Sequence, residues 1–387
     1  MEHIQKLKLY LNTVGTKVRY KGYWFKVVDI LTILICGALC GLKELKEIHQ
    51  YAKSKPTRKM LMKYFNIIRI PCYSQFTVIL GIVEEEHIND AFRAWCKWIM
   101  NDIKEVMTVA LDGKTIRSTE KMKSYESPLH IVNAYITELG ITIGQLAVKS
   151  KSNEIPAVQE LIEILDVNGM VVIADALNCQ TKTADKIIKN GGEYILSVKK
   201  NQENLYTDIA EIFDYIKNDK VEQNQHEFNV AQVKKTEKNR GRIETREANI
   251  LTEIDWLEGK ENWNNLTAIG MITKKQEENG IKSEEKRYYI MSKEFTPEEL
   301  LKYTRNEWGV ESLHWLLDVH FNEDKCKVIN IGVQKSLNII RKIALNLLTQ
   351  YKVNNDITLP ISNIMRNCLF DTEELISLMA NLKYINC

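Results

Sequence analysis

The spacing of hydrophobic residues divides the chain into stretches of different period. From residue 24 to about 100 apolar positions recur at helical intervals. Asp29 is placed to cap a helix over 30–39, and Gly41 suits the left-handed position that ends one. A helix over 42–51 puts Leu42, Leu45 and Ile48 on one face, and Lys55-Pro56 breaks it. Helices over 58–65, 74–83 and 88–100 follow, with a turn at Ile70-Pro71 between the first two. The last of them carries Phe92, Trp95 and Trp98. Lys53, Lys55, Arg58, Lys59 and Lys63 at the turns make this bundle a candidate DNA-contacting module; a solvated helical surface is the plainer alternative.

After residue 105 the period changes. Residues 106–112 (VMTVALD) are continuously apolar and end on a carboxylate, as a buried central strand does. Segments 129–137 and 141–149 are β-rich, and Glu138-Leu139-Gly140 between them predicts a hairpin. An amphipathic helix over 155–165 starts on Pro156. A second buried strand, 170–175 (MVVIAD), again ends on a carboxylate; a helix over 182–189 and a strand over 194–199 follow. This order predicts a mixed α/β sheet with an antiparallel beginning. Residues 201–295 differ. A helix over 205–215 gives way to charged segments with short strands at 246–250, 266–272 and 286–291, which reads as an insertion with its own sheet. Thr296-Pro297-Glu298-Glu299 is a capping box with proline at the first helical position, opening a helix or helix pair to about 319. A final apolar helix covers 333–351. The expected segments are therefore 1–103 (helical), 104–200 (first part of the core), 201–295 (β-rich insertion), 296–351 (second part of the core) and 352–387 (tail).

Composition sharpens this. The chain has 387 residues, 44% hydrophobic and 27% charged, with 53 Lys and Arg against 51 Asp and Glu, a net charge of +2. These are values of a folded globular chain, and the balance excludes a tail-driven nucleic-acid binder while allowing segregated patches. The apolar run 30–41 is shorter than the roughly 20 residues that cross a bilayer, so no membrane is expected. The first 23 residues hold five Lys or Arg and no apolar core, unlike a secretory signal. The 8 cysteines include no C-x-x-C and no zinc spacing, so reduced thiols in a cytoplasmic protein are expected.

The sharpest chemical feature is the pair Asp112 and Asp175, each closing a buried strand, where side chains emerge and ligands bind. If the strands are neighbours, two like charges meet, and a cation between them relieves the repulsion. Hard oxygen ligands of this kind suit Mg²⁺ or Mn²⁺. Further on, Glu307, Glu311, His314 and Asp318 share one helical face bordered by Trp308 and Trp315. Spacing does not choose between Glu307 and Glu311 as a third ligand, and a solvated acidic stripe is the plainer alternative. Basic residues cluster at Lys234, Lys235, Lys238, Arg240, Arg242 and Arg246; Lys114 and Arg117 follow Asp112, and Lys199 and Lys200 end the last core strand. Cations beside a carboxylate cluster are what phosphodiester chemistry needs.

Taken together, LDGKTIR (111–117), IGQLAVKSKSNEIPA (143–157), IADALNCQ (173–180), YILSVKKNQ (194–202), GRIETRE (241–247) and WGVESLHWLLDVHFNED (308–324) resemble the DDE transposases of bacterial insertion sequences. The group that includes the H-repeat-associated proteins is the most similar; ALNLL (344–348) and LCGLKELKEI (39–48) also fit its pattern. The resemblance implies a ribonuclease-H-like mixed sheet flanked by helices, with a helical N-terminal domain and a β-rich insertion before the glutamate helix. It implies Asp112, Asp175 and Glu311 as catalytic metal ligands for two Mg²⁺ (or Mn²⁺). The implied partners are transposon-end DNA with its terminal inverted repeats and target DNA, bound by a homodimer. The wider superfamily carries Arg four residues before the glutamate and Lys seven after; this chain has Glu307 and Asp318 there. Arg305, His314, Trp315 and Asp318 fit the H-repeat-like version instead, as supporting residues. Lys114, Arg117, Lys199, Lys200, Arg240, Arg242 and Arg305 are the expected DNA contacts. A DNA-binding relative that no longer cuts, and a metal nuclease without strand transfer, are the alternatives.

Overall fold

The structure is a computed structural model that describes residues 2–18, 25–101, 103, 105–120, 128–148, 153–222, 228–239, 242–278 and 281–380. The chain forms two compact units: 1–105, 113–151 and 311–387 make the first; 106–112 and 152–310 make the second.

The first unit is mainly helical. Its N-terminal helices are α1 (Glu2–Leu11), α2 (Val27–Leu39), α3 (Leu45–Lys53), α4 (Lys55–Phe65), α5 (Tyr73–Ile82) and α6 (Glu85–Met100). Their ends differ from the sequence expectation for local reasons. Lys26, not Asp29, occupies the N-cap of α2, and Asp29 lies in its first turn. Glu44 and Glu47 close a capping box on α3. The break expected at Lys55-Pro56 falls at Ser54, which ends α3 and caps α4; Pro56 sits in the first turn of α4, where a missing N–H costs nothing. Gly41 takes φ +75°, as its position after α2 requires. Beyond the hairpin β2 (His130–Ile136) and β3 (Ile141–Val148) the unit is completed by α11 (Trp308–Phe321, within this unit from Glu311), α12 (Ile331–Asn354), α13 (Ile361–Phe370) and α14 (Thr372–Ala380). Helix α12 is buried along most of its length and packs on α2, α5, α6 and β3.

The second unit is a sheet covered by helices. Strand β1 (Thr108–Thr115) pairs in parallel with β4 (Val171–Ala174), and β4 with β5 (Glu193–Val198). Helices α7 (Glu154–Ile164) and α8 (Thr181–Lys189) make the connections. After α9 (Glu203–Glu222) come β6 (Val230–Asn239), β7 (Arg242–Leu251), β8 (Ala268–Glu278) and β9 (Ile281–Met291), an antiparallel meander. Strand β9 pairs antiparallel with β5 through Ile195↔Met291 to Val198↔Tyr288. The strands of 201–295 therefore extend the core sheet and do not form a sheet of their own. They are also longer than the sequence predicts, and β6 was not expected at all. Helix α10 (Pro297–Asn306), opened by the Thr296–Glu299 capping box, lays Leu300, Leu301 and Tyr303 on a core that includes Ile250, Ile272, Tyr289 and Phe295. Gly270 allows this approach, since a Cβ there would stand 2.8 Å from Leu300 Cδ2.

Strand β1 is common to both units, Thr108–Asp112 belonging to the second and Gly113–Thr115 to the first, where its neighbour is β2. The order through β1 is β3-β2-β1-β4-β5-β9-β8-β7-β6, a mixed nine-stranded α/β sheet flanked by helices. Among the described residues no helix is long and apolar enough to cross a membrane.

Candidate active site

Asp112 and Asp175 become neighbours through strand register. Pairing between β1 and β4 runs from Thr108↔Val171 to Leu111↔Ala174, so the next residue on each strand is one of the two aspartates. Adjacent strands lie about 4.8 Å apart, so the two aspartates follow paired neighbours at the same end of the sheet. Each aspartate is half-buried. Strand β1 does not stop at Asp112 but continues to Thr115; its ladder with β4 stops because β4 ends at Ala174.

The chain then turns sharply, and Asp175 caps the short 3-10 turn Ala176–Asn178. Its Oδ1 accepts from the Asn178 backbone N at 3.2 Å and from Asn178 Nδ2 at 2.9 Å. Asn178 is fully buried and also donates to Glu154 Oε1 at 3.2 Å. Its Oδ1 is buried with no hydrogen-bond partner among the described residues. The network thus ties one Asp175 oxygen and leaves a second hard oxygen, on Asn178, unused. Neither Asn178 nor Glu154 is among the residues expected at the site from the sequence; the Asp-x-x-Asn spacing at a strand end is the available signal for the first. Two side-chain bonds from the next 3-10 turn hold the same loop: Asn201 Nδ2 donates to Ala176 O at 2.6 Å and Gln202 Nε2 to Cys179 O at 2.9 Å. Lys199 and Lys200, at the end of β5, are exposed beside it.

In the first unit Glu311 is exposed and stands in the first turn of α11, where a carboxylate meets the positive end of the helix. Glu307 is the C-cap of α10, at the junction before α11, so the expected four-residue stripe does not run on one helix. His314 and Asp318 turn inward. Asn133 Nδ2 donates to His314 Nε2 at 3.2 Å, and burial, with Lys114 adding to it, lowers the imidazole pKa to about 4, so the ring is neutral near pH 7. Trp315 is 60% exposed. Among the described residues no group of three or more His, Cys, Asp or Glu is gathered as a metal site.

Lys114 departs from the expected DNA contact. Its side chain is only 10% exposed and is held by Asp318 at 2.7 Å, Glu323 at 2.8 Å and Asp324 at 3.7 Å. Burial pulls its pKa down, but the Glu323 and Asp318 carboxylates outweigh it and leave the ammonium above its usual value. Glu323 is itself buried; Lys114, Lys342 and Arg341 overcome its desolvation and hold it below the usual carboxylate range. Asn338 Nδ2 donates to Glu323 at 2.5 Å, and Lys342 donates to Asn338 at 2.7 Å and to Gln145. Burial drives Lys342 down to about 7, against the attraction of Glu323. This internal network is the second feature the sequence reading missed.

The other expected cations lie at the surface. Arg117 is 80% exposed, 3.6 Å from Asp324. Arg242 pairs with Glu244 at 2.5 Å, and Arg305 forms a forked pair with Glu237 at 2.7 and 3.0 Å. Arg240 lies outside the described residues. The seven described cysteines are all free.

Comparison with known proteins agrees over most of the chain. Residues 107–347 match the family described as Transposase DDE domain, and 11–96 match the DDE_Tnp_1-associated family. The chain is 30% identical to "H repeat-associated putative transposase YhhI" of Escherichia coli (strain K12), covering 98% of this chain and 97% of that one. It is 28% identical to "Putative protein YbfL" of the same strain (97% and 98% covered). To "Putative transposase YncI" of Escherichia coli O157:H7 it is 29% identical (90% and 88% covered).

Proposed function

Because the chain belongs to the DDE transposase family, we propose that it cuts DNA at transposon ends and joins the freed 3′ end to target DNA. The observation that carries this reading is the β1–β4 register, which sets Asp112 beside Asp175 at the end of a parallel pair. In this reading Asp112, Asp175 and Glu311 hold two Mg²⁺ (or Mn²⁺). The donor set suits such ions: two adjacent hard carboxylates, one with an oxygen committed to Asn178, and an unpartnered Asn178 Oδ1 beside them. Bound metal supplies an activated oxygen nucleophile and charge stabilisation at the leaving 3′ oxygen.

The protein's own part is positioning. Asn178 fixes the rotamer of Asp175, so the carboxylate meets its charge partner without reorganising. Exposed Lys199 and Lys200, on a turn tied to the Asp175 loop, hold the phosphate backbone next to the scissile bond. Arg117, Arg242 and Arg305 contact the backbone farther away, and Lys114 acts inside the protein. Pairing two transposon ends calls for a homodimer, and the place of action is the bacterial cytoplasm. The test is purified protein with labelled terminal inverted repeats and Mg²⁺, resolved on a gel. Cleaved and joined products are the expected result. Binding without cleavage identifies a silent relative, and cleavage without joining identifies a nuclease.

A further inference from the structure

The first unit carries an open cleft of about 640 Å³, within the range of roughly 300–1,000 Å³ usual for ligand sites. Met365 and Leu369 of α13 and Trp315 of α11 are among the residues that line it. Trp315 is 60% exposed and meets His320 edge-on, with ring centroids 6.2 Å apart, so most of one large ring surface faces solvent. The cationic lining residues are Lys43, Lys352 and Arg366, and none of the lining residues is acidic; burial, with Lys43 adding to it, lowers the pKa of His320. Lys352 and Arg366 have no ion-pair partner among the described residues. Lys43 donates to Val319 O at 3.0 Å, which holds its ammonium against α11.

We propose that this cleft binds a single DNA strand, with one unpaired base stacked on Trp315 and the adjoining phosphates on Lys43, Lys352 and Arg366. The proposal rests on the DNA reading above but concerns a different surface from the carboxylates. Its chemistry selects the ligand. Three cations with no acid among them favour a polyanion. An exposed indole face stacks on any nucleobase, and a base inside a duplex has both faces already covered. A duplex therefore offers this cleft only phosphates, whereas an unpaired strand satisfies both the ring and the cations.

The experiment uses the full-length protein and fluorescence anisotropy with two probes, oligo-dT and a fully paired duplex of the same length. Trp315→Ala weakens oligo-dT binding by about 5- to 150-fold, the equivalent of one stacked base, and leaves duplex binding unchanged. Trp315→Phe keeps a stacking face and retains oligo-dT binding. The triple variant Lys43→Gln, Lys352→Gln, Arg366→Gln lowers the salt slope for oligo-dT by about 2, at roughly 0.7 per phosphate contact on single strands. Trp315 is a surface residue, so circular dichroism of the alanine variant matches wild type. Unchanged oligo-dT affinity in Trp315→Ala overturns the proposal. So does a loss of dimer in sedimentation with oligo-dT affinity intact, which gives the cleft to a second copy of the chain. Wild-type protein that binds neither probe sinks this proposal and the transposase reading together. Normal cleavage of terminal repeats with a silent Trp315→Ala sinks the cleft alone.

Discussion

Replacing Lys114 by methionine removes the cation at the centre of the buried network while keeping most of the side-chain volume. Glu323, 1% exposed, is then left with Lys342, Arg341 and the Asn338 hydrogen bond. Breaking a buried ion pair from one side costs about 3–5 kcal/mol, because the remaining charge stays desolvated. Arg341, and Lys342 once Lys114 no longer repels it, place this case at the lower end, about 3 kcal/mol. The partners Asp318 and Asp324, 33% and 18% exposed, add at most about 1 kcal/mol. The pH dependence has a definite sign. In the wild type the folded-state pKa of Glu323 lies below its ordinary 4.5, so its stabilisation is present above that value and is lost as pH falls through the folded pKa. Without Lys114 the folded pKa rises. The deficit of the variant is therefore largest at neutral pH and narrows as the solution approaches 4.5 and the carboxyl takes up its proton. Urea denaturation followed by tryptophan fluorescence, at about pH 8 and about pH 5, measures both values. Adding Glu323→Gln to the variant recovers most of the loss. A deficit below about 1 kcal/mol, or one equal at the two pH values, means that Lys114 does not hold a buried Glu323 charge.

Other perturbations give separate readouts. Asn178→Ala frees the Asp175 carboxylate, so the Mg²⁺ concentration needed for half-maximal cleavage rises by about 10- to 100-fold; an unchanged metal titration removes Asn178 from the site. Thr296→Ala opens the capping box of α10 and lowers stability by about 1 kcal/mol, read from the same urea transition. Gly140→Ala puts a Cβ at φ +65°, 2.8 Å from Thr349 Cγ2, and costs about 1 kcal/mol or more; a neutral effect contradicts the hairpin geometry.

The acid pair was legible because buried parallel strands read as unbroken apolar runs, and both VMTVALD and MVVIAD end on aspartate. That the two strands are neighbours was a condition of the sequence argument, and the register supplies it. The Thr296 start was legible because a capping box is local chemistry. Strand β6 was not, for a physical reason. It lies at the sheet edge and carries Lys234, Lys235 and Lys238, the composition that discourages edge-to-edge pairing and that also reads as a polar loop. The burial of Lys114 was illegible for a different reason. Its partners Asp318, Glu323 and Asp324 are distant in sequence, and a lysine two residues after an exposed-looking aspartate reads as surface. Asp29 and Pro56 show the limit of terminal signals: each lies in the first turn of its helix, and the starts fall at Lys26, which makes no side-chain cap bond, and at Ser54, which does.

In the proposed function Asp112, Asp175 and Glu311 act together on DNA through bound divalent metal. The direct measurement is cleavage of labelled terminal inverted repeats by wild type and by Asp112→Asn, Asp175→Asn and Glu311→Gln, with and without Mg²⁺, alongside a binding assay on the same DNA. Mg²⁺-dependent cleavage by wild type, none by any of the three variants, and end binding retained in all are the expected results. Wild-type cleavage in the presence of a chelator, or normal cleavage by any one of the three variants, contradicts the proposed function.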